Sequence, residues 1–211
     1  SKEMVDNKET ATYDLWSSDW SKGFMKSGNV FAYFGPAWFF NFSMSADKKG
    51  SVGIDGGWAL CKGPQSFYWG GTWICGANGT DNSSLVKDII EKMTTDESIM
   101  TDIVKKDNDF ANNKSAMDTL SKDKSFKNTI LGGQNPLPIF CDGIESIDLS
   151  NLSSYDQGCV ELIQNSFSDY LQGKVDYDKA KTNFETAIKE RYPEIQEVNC
   201  CLLYTSPSPR D

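Results

Sequence analysis

The second half of the chain carries apolar residues at spacings of three and four, the pattern of an amphipathic helix. One helix is predicted from Asn82, and a second within DESIMTDIVKKD, which opens with two acids and has its lysines near the end, as the helix dipole favours. NNKSAMDTLSKD predicts a further short helix. Two longer helices are predicted after LSSYDQG; the first ends at Gly173 and Asp176 caps the second.

The first half mixes helical spacings with compact runs of β-favouring residues. Residues 10–28 predict a helix, and residues 29–34 predict a strand ended by Gly-Pro, after which Trp38 falls in the first turn of a short helix. Residues 58–61 and the aromatic run 66–77 predict two more strands. The chain therefore reads as mixed α/β, with helices dominating its second half and a loop or hinge around LGGQNPLPIF.

Charge and composition exclude several classes of partner and of catalytic site. The net charge of -9 disfavours nucleic acid and anionic membrane surfaces as partners, and no apolar run has the length of a membrane span. The chain has no histidine, which excludes Ser-His-Asp and Cys-His catalysis within it, and it has no phosphate-binding glycine motif. Six cysteines without a CxxC pair are interpreted as buried or idle thiols, so no metal and no cofactor is predicted.

Carboxylates leave one catalytic alternative open. Glycoside hydrolysis needs two carboxyl groups across a cleft, one of them with a raised pKa. Asp55, Asp142 and Asp156 are candidates, but nothing in their spacing selects them. No catalytic residue is therefore predicted, and an enzyme stays the alternative.

Aromatic residues at turns and at the ends of predicted elements favour a different ligand chemistry. Flat rings offer an apolar face to the C–H groups of a sugar, and a neutral ligand suits the acidic chain. In the stretch YWGGTW, Trp69 with Gly70 and Gly71 is predicted to line a cleft, and Trp73 to be mainly core. Trp38 and Tyr155 complete the aromatic set.

Several segments in fixed order resemble the C-terminal part of an extracellular solute-binding protein of family 1, the maltose-binding type. They are GNVFAYFGPAWF, GWALCKGP, YWGGTWICGANGTDNSSLVKDIIEKMTTDE, DFANNKSAM and YDQGCVELIQNSFSDYLQGKVDYDKAKTNFETAIK. The resemblance implies an α/β, type II periplasmic-binding-protein-like fold of two lobes joined by a hinge. It assigns residues 1–61 and 123–199 to lobe 2 and residues 62–122 to a return segment of lobe 1.

The same resemblance implies ligand-binding positions. Trp38 follows the Gly-Pro turn that presents an aromatic ring to the sugar in that family, here with one residue inserted before the ring. Tyr155, Asp156 and Gln157 fall where the family places a ligand-facing aromatic at the start of a long helix. Most of lobe 1 is expected to lie outside these residues, so sugar binding by this chain alone is expected to be weak.

The function implied is the substrate-binding component of a carbohydrate ABC importer, a monomer that delivers a sugar or oligosaccharide to permease subunits. Its expected place is outside the cytoplasm, in the periplasm or lipid-anchored at the cell surface, through an anchor absent from these residues. A glycoside-active enzyme domain or a carbohydrate-binding module is the alternative. Residues 201–211 resemble a translated sequencing adapter, and residues 200–211, with Cys200 at the junction, are predicted to be a non-native tail.

Overall fold

The computed structural model describes residues 2–11, 13–44 and 48–199, and these residues form helices joined by irregular segments. The helices are α1 (Lys2–Asp6), α2 (Ser18–Ser21), α3 (Phe39–Ser43), α4 (Ser83–Thr95), α5 (Glu97–Asp107), α6 (Lys114–Ser121), α7 (Leu137–Ile144), α8 (Asp156–Leu171) and α9 (Tyr177–Arg191), with 3-10 turns at Lys22–Phe24 and Gly53–Asp55. Within the described residues there is no strand, and β pairing is limited to one antiparallel bridge between Met25 and Ser51.

The chain divides into two compact units. The terminal unit comprises residues 1–13 and 149–211, and the central unit comprises residues 14–148. These divisions differ from the boundaries at 61/62 and 122/123 that the resemblance implies, and the lobe assignment stays a prediction of the resemblance.

The terminal unit is built on the packing of α8 against α9. Helix α9 begins where Asp176 accepts a hydrogen bond from the Lys179 N–H at 2.7 Å, as its sequence predicts. Its buried residues are Ala180, Phe184 and Ile188. This spacing of four places them on one face of the helix.

The central unit holds two groups of buried apolar residues. The first is formed mainly by α5, α6 and α7, and contains Met100, Val104, Ala111, Ala116, Met117, Leu120, Phe126 and Leu137. The second surrounds α3 and contains Phe24, Phe39, Phe40, Met44, Ile130 and Leu131. The Phe140 ring of α7 packs against both groups, which makes them neighbours within one unit.

The segment before α7 is a packed loop whose amide side chains satisfy backbone groups. Asn128 is 1% exposed, and its Oδ1 accepts from the N–H groups of Ile130 and Leu131 at 2.9 and 3.3 Å. Gln134 bonds both the N–H and the C=O of Leu60 at 2.8 Å, as a neighbouring strand would. The predicted loop is therefore present at residues 131–136, where it packs on the core, but residues 137–140 belong to helix α7, which was not predicted.

The expectation of an α/β, periplasmic-binding-protein-like fold is wrong, because all three predicted strands are irregular. A strand needs a neighbour for its N–H and C=O groups, and β propensity largely measures packing against such neighbours. Residues 29–34 have none alongside, and Phe31 and Phe34 are 98% and 74% exposed. Residues 58–61 pair with the side chain of Gln134 and make one backbone hydrogen bond, from the Trp58 N–H to the Ile130 carbonyl oxygen at 3.3 Å. The run 66–77 is interrupted by two glycines with positive φ.

Predictions from helical periodicity were more successful. Helices α4, α5, α6, α8 and α9 occur where the spacing predicts them, and α3 follows the Gly-Pro turn. The single helix predicted over residues 10–28 is wrong: only Ser18–Ser21 are α-helical, with a 3-10 turn at Lys22–Phe24. Helix α2 begins late because Ser17 caps it by accepting from the Trp20 N–H at 3.1 Å. Before that cap, Trp16 has a φ of 69° and leaves the helical path.

Candidate functional site

Trp38 and Trp69, 31 positions apart in sequence, meet on the central unit. Their ring centroids are 5.6 Å apart and their planes are inclined at 65°. The indole N–H of Trp38 points at the carbonyl oxygen of Trp69 at 3.5 Å, a long hydrogen bond. Trp38 is fixed at the N-terminus of α3, whose next two residues, Phe39 and Phe40, are buried. The structure thus brings together two of the predicted ligand-binding residues.

Two further rings, which the sequence did not single out, extend this surface. Trp16 lies nearly parallel to Trp38, with centroids 6.1 Å apart and 18° between the planes. Phe42 stands almost perpendicular to both, at 6.2 Å from Trp16 and 5.9 Å from Trp38. We call Trp16, Trp38, Phe42 and Trp69 the aromatic cluster. Phe42 is 76% exposed, Trp16 50% and Trp69 39%, so the cluster offers ring surface to solvent.

Gly70 and Gly71 lie in open space beside Trp69. Their φ angles are 67° and 145°, and a Cβ at either position would meet nothing within 4 Å. These conformations favour glycine, which explains the pair by backbone geometry. Trp73 is 81% exposed, so its prediction as a core residue is wrong. The expected alternation of Trp69 and Trp73 along a strand fails because the glycines turn the chain between them.

The other three predicted ligand residues, Tyr155, Asp156 and Gln157, belong to the terminal unit, at the start of α8. Asp156 accepts from the Ser153 hydroxyl at 2.7 Å and from its N–H at 3.1 Å, and these bonds lower the pKa of the carboxyl. The Tyr155 hydroxyl donates to Glu194 at 3.0 Å, which raises the phenol pKa. Tyr155 and Asp156 therefore have local structural partners, and Gln157 is exposed.

The carboxylates considered for glycoside hydrolysis have partners of their own. Asp55 pairs with Lys26, and Asp142 pairs with Lys62 at 2.5 Å. Both aspartates are 64% exposed. The lowered pKa of Asp156 is the opposite of what a general acid needs.

Other chemistry is sparse in the part of the chain that the structure describes. Within it no three His, Cys, Asp or Glu side chains are grouped as metal ligands would be, and no helix has the length and apolarity to cross a membrane. The four described cysteines are free thiols: Cys61 and Cys75 are exposed and Cys141 and Cys159 half-buried. Of the two readings, buried or idle, burial is therefore wrong, and idle thiols stay a prediction. Cys200 and the tail of residues 200–211 lie outside the described residues.

Two open depressions occur elsewhere on the central unit. One, of about 490 Å³, runs along α4 and has Val86, Ile90 and the turn at Ala77 in its wall. The other, of about 370 Å³, is lined by polar groups including Lys105, Asp123 and Lys127. Neither contains an aromatic cluster residue, and neither brings polar groups together around an apolar floor, as small-molecule sites usually do.

Comparison with known proteins found no matching family model, no matching curated protein and no matching solved structure. The resemblance to solute-binding proteins thus rests on the order of segments quoted above. The aromatic cluster rests on geometry alone. Ser17 is the sequence signal that could have pointed to Trp16. A serine N-cap at position 17 starts the helix at Ser18 and leaves Trp16 outside it.

Proposed function

We propose that this protein binds carbohydrate without performing chemistry on it, and that the aromatic cluster is the contact surface. The observation that carries the proposal is the meeting of four large rings at one place, three of them exposed and Trp38 half-buried; two of the four, Trp38 and Trp69, are predicted from sequence to face a sugar. Ring faces complement the C–H faces of pyranoses, whereas charged ligands of either nucleic acid or lipid type are repelled by a chain of net charge -9.

The wider role we propose is that of the sugar-capturing component of an ABC importer, working outside the cytoplasm. This part of the proposal is supported by the segment resemblance alone. The local pairing of Asp55, Asp142 and Asp156 supports a binding role over a glycoside-active one. Affinity for sugar by these residues alone is expected to be weak.

A method suited to weak binding tests the contact surface. Each tryptophan gives one indole N–H signal in a proton–nitrogen NMR spectrum, and signals are assigned by single Trp→Phe variants. Titration with maltose, cellobiose and their longer oligomers should shift the signals of Trp38 and Trp69. The signal of Trp73, 81% exposed and outside the cluster, serves as the internal control.

Trp69→Ala should weaken sugar binding more than Trp73→Ala does, with both variants folded by circular dichroism. If no sugar in the panel moves any indole signal, or if all six move alike, the contact surface is refuted. Release of reducing ends during the titration would favour the enzyme alternative. The importer role predicts that sugar-loaded protein stimulates the ATPase of permease subunits encoded beside its gene, and lack of stimulation counts against it.

A further inference from the structure

Asn78 and Gly79 form the middle of the turn that precedes α4. Asparagine is a thermolabile residue, because its side-chain amide can be attacked by the backbone nitrogen of the residue that follows it. A glycine in that position has no Cβ to shield the nitrogen. Among the asparagines of the chain, only Asn78 is followed by glycine. The sequence therefore places the least hindered pair for this reaction in this turn.

The structure leaves both reacting groups open to each other and to water. Asn78 and Gly79 are exposed, and a Cβ added at Gly79, whose φ is 81°, would meet nothing within 4 Å. The turn is held by the Thr80 N–H, which donates to the Ala77 carbonyl oxygen at 3.4 Å, and by the Asn82 N–H, which donates to the Thr80 hydroxyl at 3.2 Å. Within the described residues no hydrogen bond engages the Asn78 side chain or the Gly79 N–H, so none has to break before they meet.

Two other exposed asparagines lack this combination of features. The residue after Asn151 is Leu152, whose N–H donates to the Leu149 carbonyl oxygen at 3.1 Å and whose side chain crowds the nitrogen. Asn82 is only four positions from Asn78, but a serine follows it. Sequence and local geometry together therefore distinguish Asn78 from both.

We propose that Asn78 is a modification site, at which the folded protein undergoes spontaneous deamidation and isoaspartate formation. The Gly79 backbone nitrogen loses its proton to solvent and bonds to the side-chain carbonyl carbon of Asn78. The bond from that carbon to the amide nitrogen breaks, and the nitrogen takes a proton from solvent and leaves as ammonia. Water then opens the resulting succinimide at either of its two carbonyl carbons, which gives aspartate or isoaspartate. Water is the only co-reactant.

Isoaspartate at this position has a consequence for α4. It adds one carbon atom to the main chain inside the turn that the Thr80 N–H closes on the Ala77 carbonyl oxygen. Gly76, directly before the turn, packs closely on α4, since a Cβ added there would lie 2.7 Å from the Val86 Cγ1. A longer turn should loosen this contact and the start of α4, where Asn82 makes no side-chain cap bond.

Mass spectrometry of the full chain, aged in mildly alkaline buffer and then digested at acid pH, tests the proposal. The fragment that contains Asn78 should gain one dalton, and isoaspartyl methyltransferase should label part of the product. The rate should lie within about tenfold of the rate in a synthetic peptide of residues 76–82, because the fold adds little to the barrier. Asn82 and Asn151 are the internal controls and should stay unchanged over the same time.

Two variants complete the test. Gly79→Ala should slow the mass gain about tenfold, because the added Cβ crowds the attacking nitrogen. Asn78→Gln places the amide one carbon further away and should abolish the mass gain at this position without disturbing the turn.

A rate in the folded protein more than tenfold below the peptide rate would overturn the proposal, because the fold would then protect the pair. Equal rates at Asn78 and Asn82, or an unchanged rate in Gly79→Ala, would also overturn it. Hydrogen exchange at the start of α4 should be faster in aged protein than in fresh Asn78→Asp, which has the new charge without the longer main chain; equal exchange would refute the loosening of α4. Asn78 lies outside the aromatic cluster, so none of these results depends on carbohydrate binding.

Discussion

Replacing Asn128 by alanine should weaken the central unit strongly, although the residue is polar and lies in a loop. Its side chain is 1% exposed and accepts hydrogen bonds from two backbone N–H groups, those of Ile130 and Leu131. Its own amide donates to Asn41 at 3.3 Å. Truncation therefore leaves two buried donors and one acceptor without their partner.

The magnitude follows from those losses. Each unsatisfied buried group costs about 1 to 3 kcal/mol, so Asn128→Ala should lower the free energy of unfolding by about 3 kcal/mol. With a urea dependence of about 2 kcal/mol per molar, the midpoint of unfolding should fall by about 1.5 M. A typical domain has a total stability of about 5 to 15 kcal/mol, so the change is large but leaves the unit folded.

The chain supplies a selective probe for this measurement. All six tryptophans, at positions 16, 20, 38, 58, 69 and 73, belong to the central unit, so their fluorescence reports the unfolding of that unit alone. Asn82→Ala is the matched control, since this exposed asparagine makes no side-chain cap bond to α4 and should shift the midpoint little. An Asn128→Ala midpoint within error of the Asn82→Ala midpoint would refute the idea that amide side chains hold this loop.

Three further changes test other parts of the structure. Gly158→Ala should destabilise the contact between α8 and α9, because its Cβ would lie 1.8 Å from the Tyr192 hydroxyl; a lower melting temperature of the terminal unit checks this. Asp176→Ala removes the cap of α9 and should cost about 1 kcal/mol, seen as faster hydrogen exchange in its first turn. Ser125→Ala should raise the pKa of Asp123, because hydrogen bonds from the Ser125 hydroxyl and N–H lower it in the wild type. The stability that these bonds contribute is present above the ordinary carboxyl pKa and is lost as the pH falls through the lowered pKa. An NMR titration of the Asp123 carboxyl measures the shift.

The outcomes that would contradict these expectations are equally direct. An unchanged melting temperature in Gly158→Ala would mean that Tyr192 can move aside at no cost. Equal hydrogen-exchange rates in Asp176→Ala and wild type would mean that the Asp176 cap does not stabilise the first turn of α9. If the Asp123 titration is the same with and without the serine hydroxyl, the hydroxyl is not the principal cause of the lowered pKa.

Local periodicity was sufficient to predict most of the helices, for a physical reason. In α5, Met100 and Val104 are buried at a spacing of four, and Asp96 caps the helix by accepting from the Ile99 N–H at 2.9 Å. Both signals are contained in a few consecutive residues. The same applies to α6 and α9, whose caps and buried faces lie within one stretch of sequence.

The predicted strands failed because a strand depends on a distant partner. The run at residues 29–34 has the composition of a strand, yet nothing in its own letters shows whether another segment will lie beside it. For Leu60 the partner is the side chain of Gln134, 74 positions away. Local propensity cannot predict that a distant side-chain amide will take the place of a neighbouring strand.

In the candidate site, too, some features follow from local sequence and others do not. Trp38 was predictable as a ring placed after a Gly-Pro turn, and it contacts Trp69; that either ring binds a ligand stays a prediction. Trp16 was assigned to a helix because Trp20 and Phe24 follow it at helical spacings, and those two rings do pack edge to face at 4.8 Å. The positive φ at Trp16 breaks that series one residue before the Ser17 cap and turns its ring towards Trp38. A single backbone angle therefore decides whether this indole packs along a helix or joins the aromatic cluster.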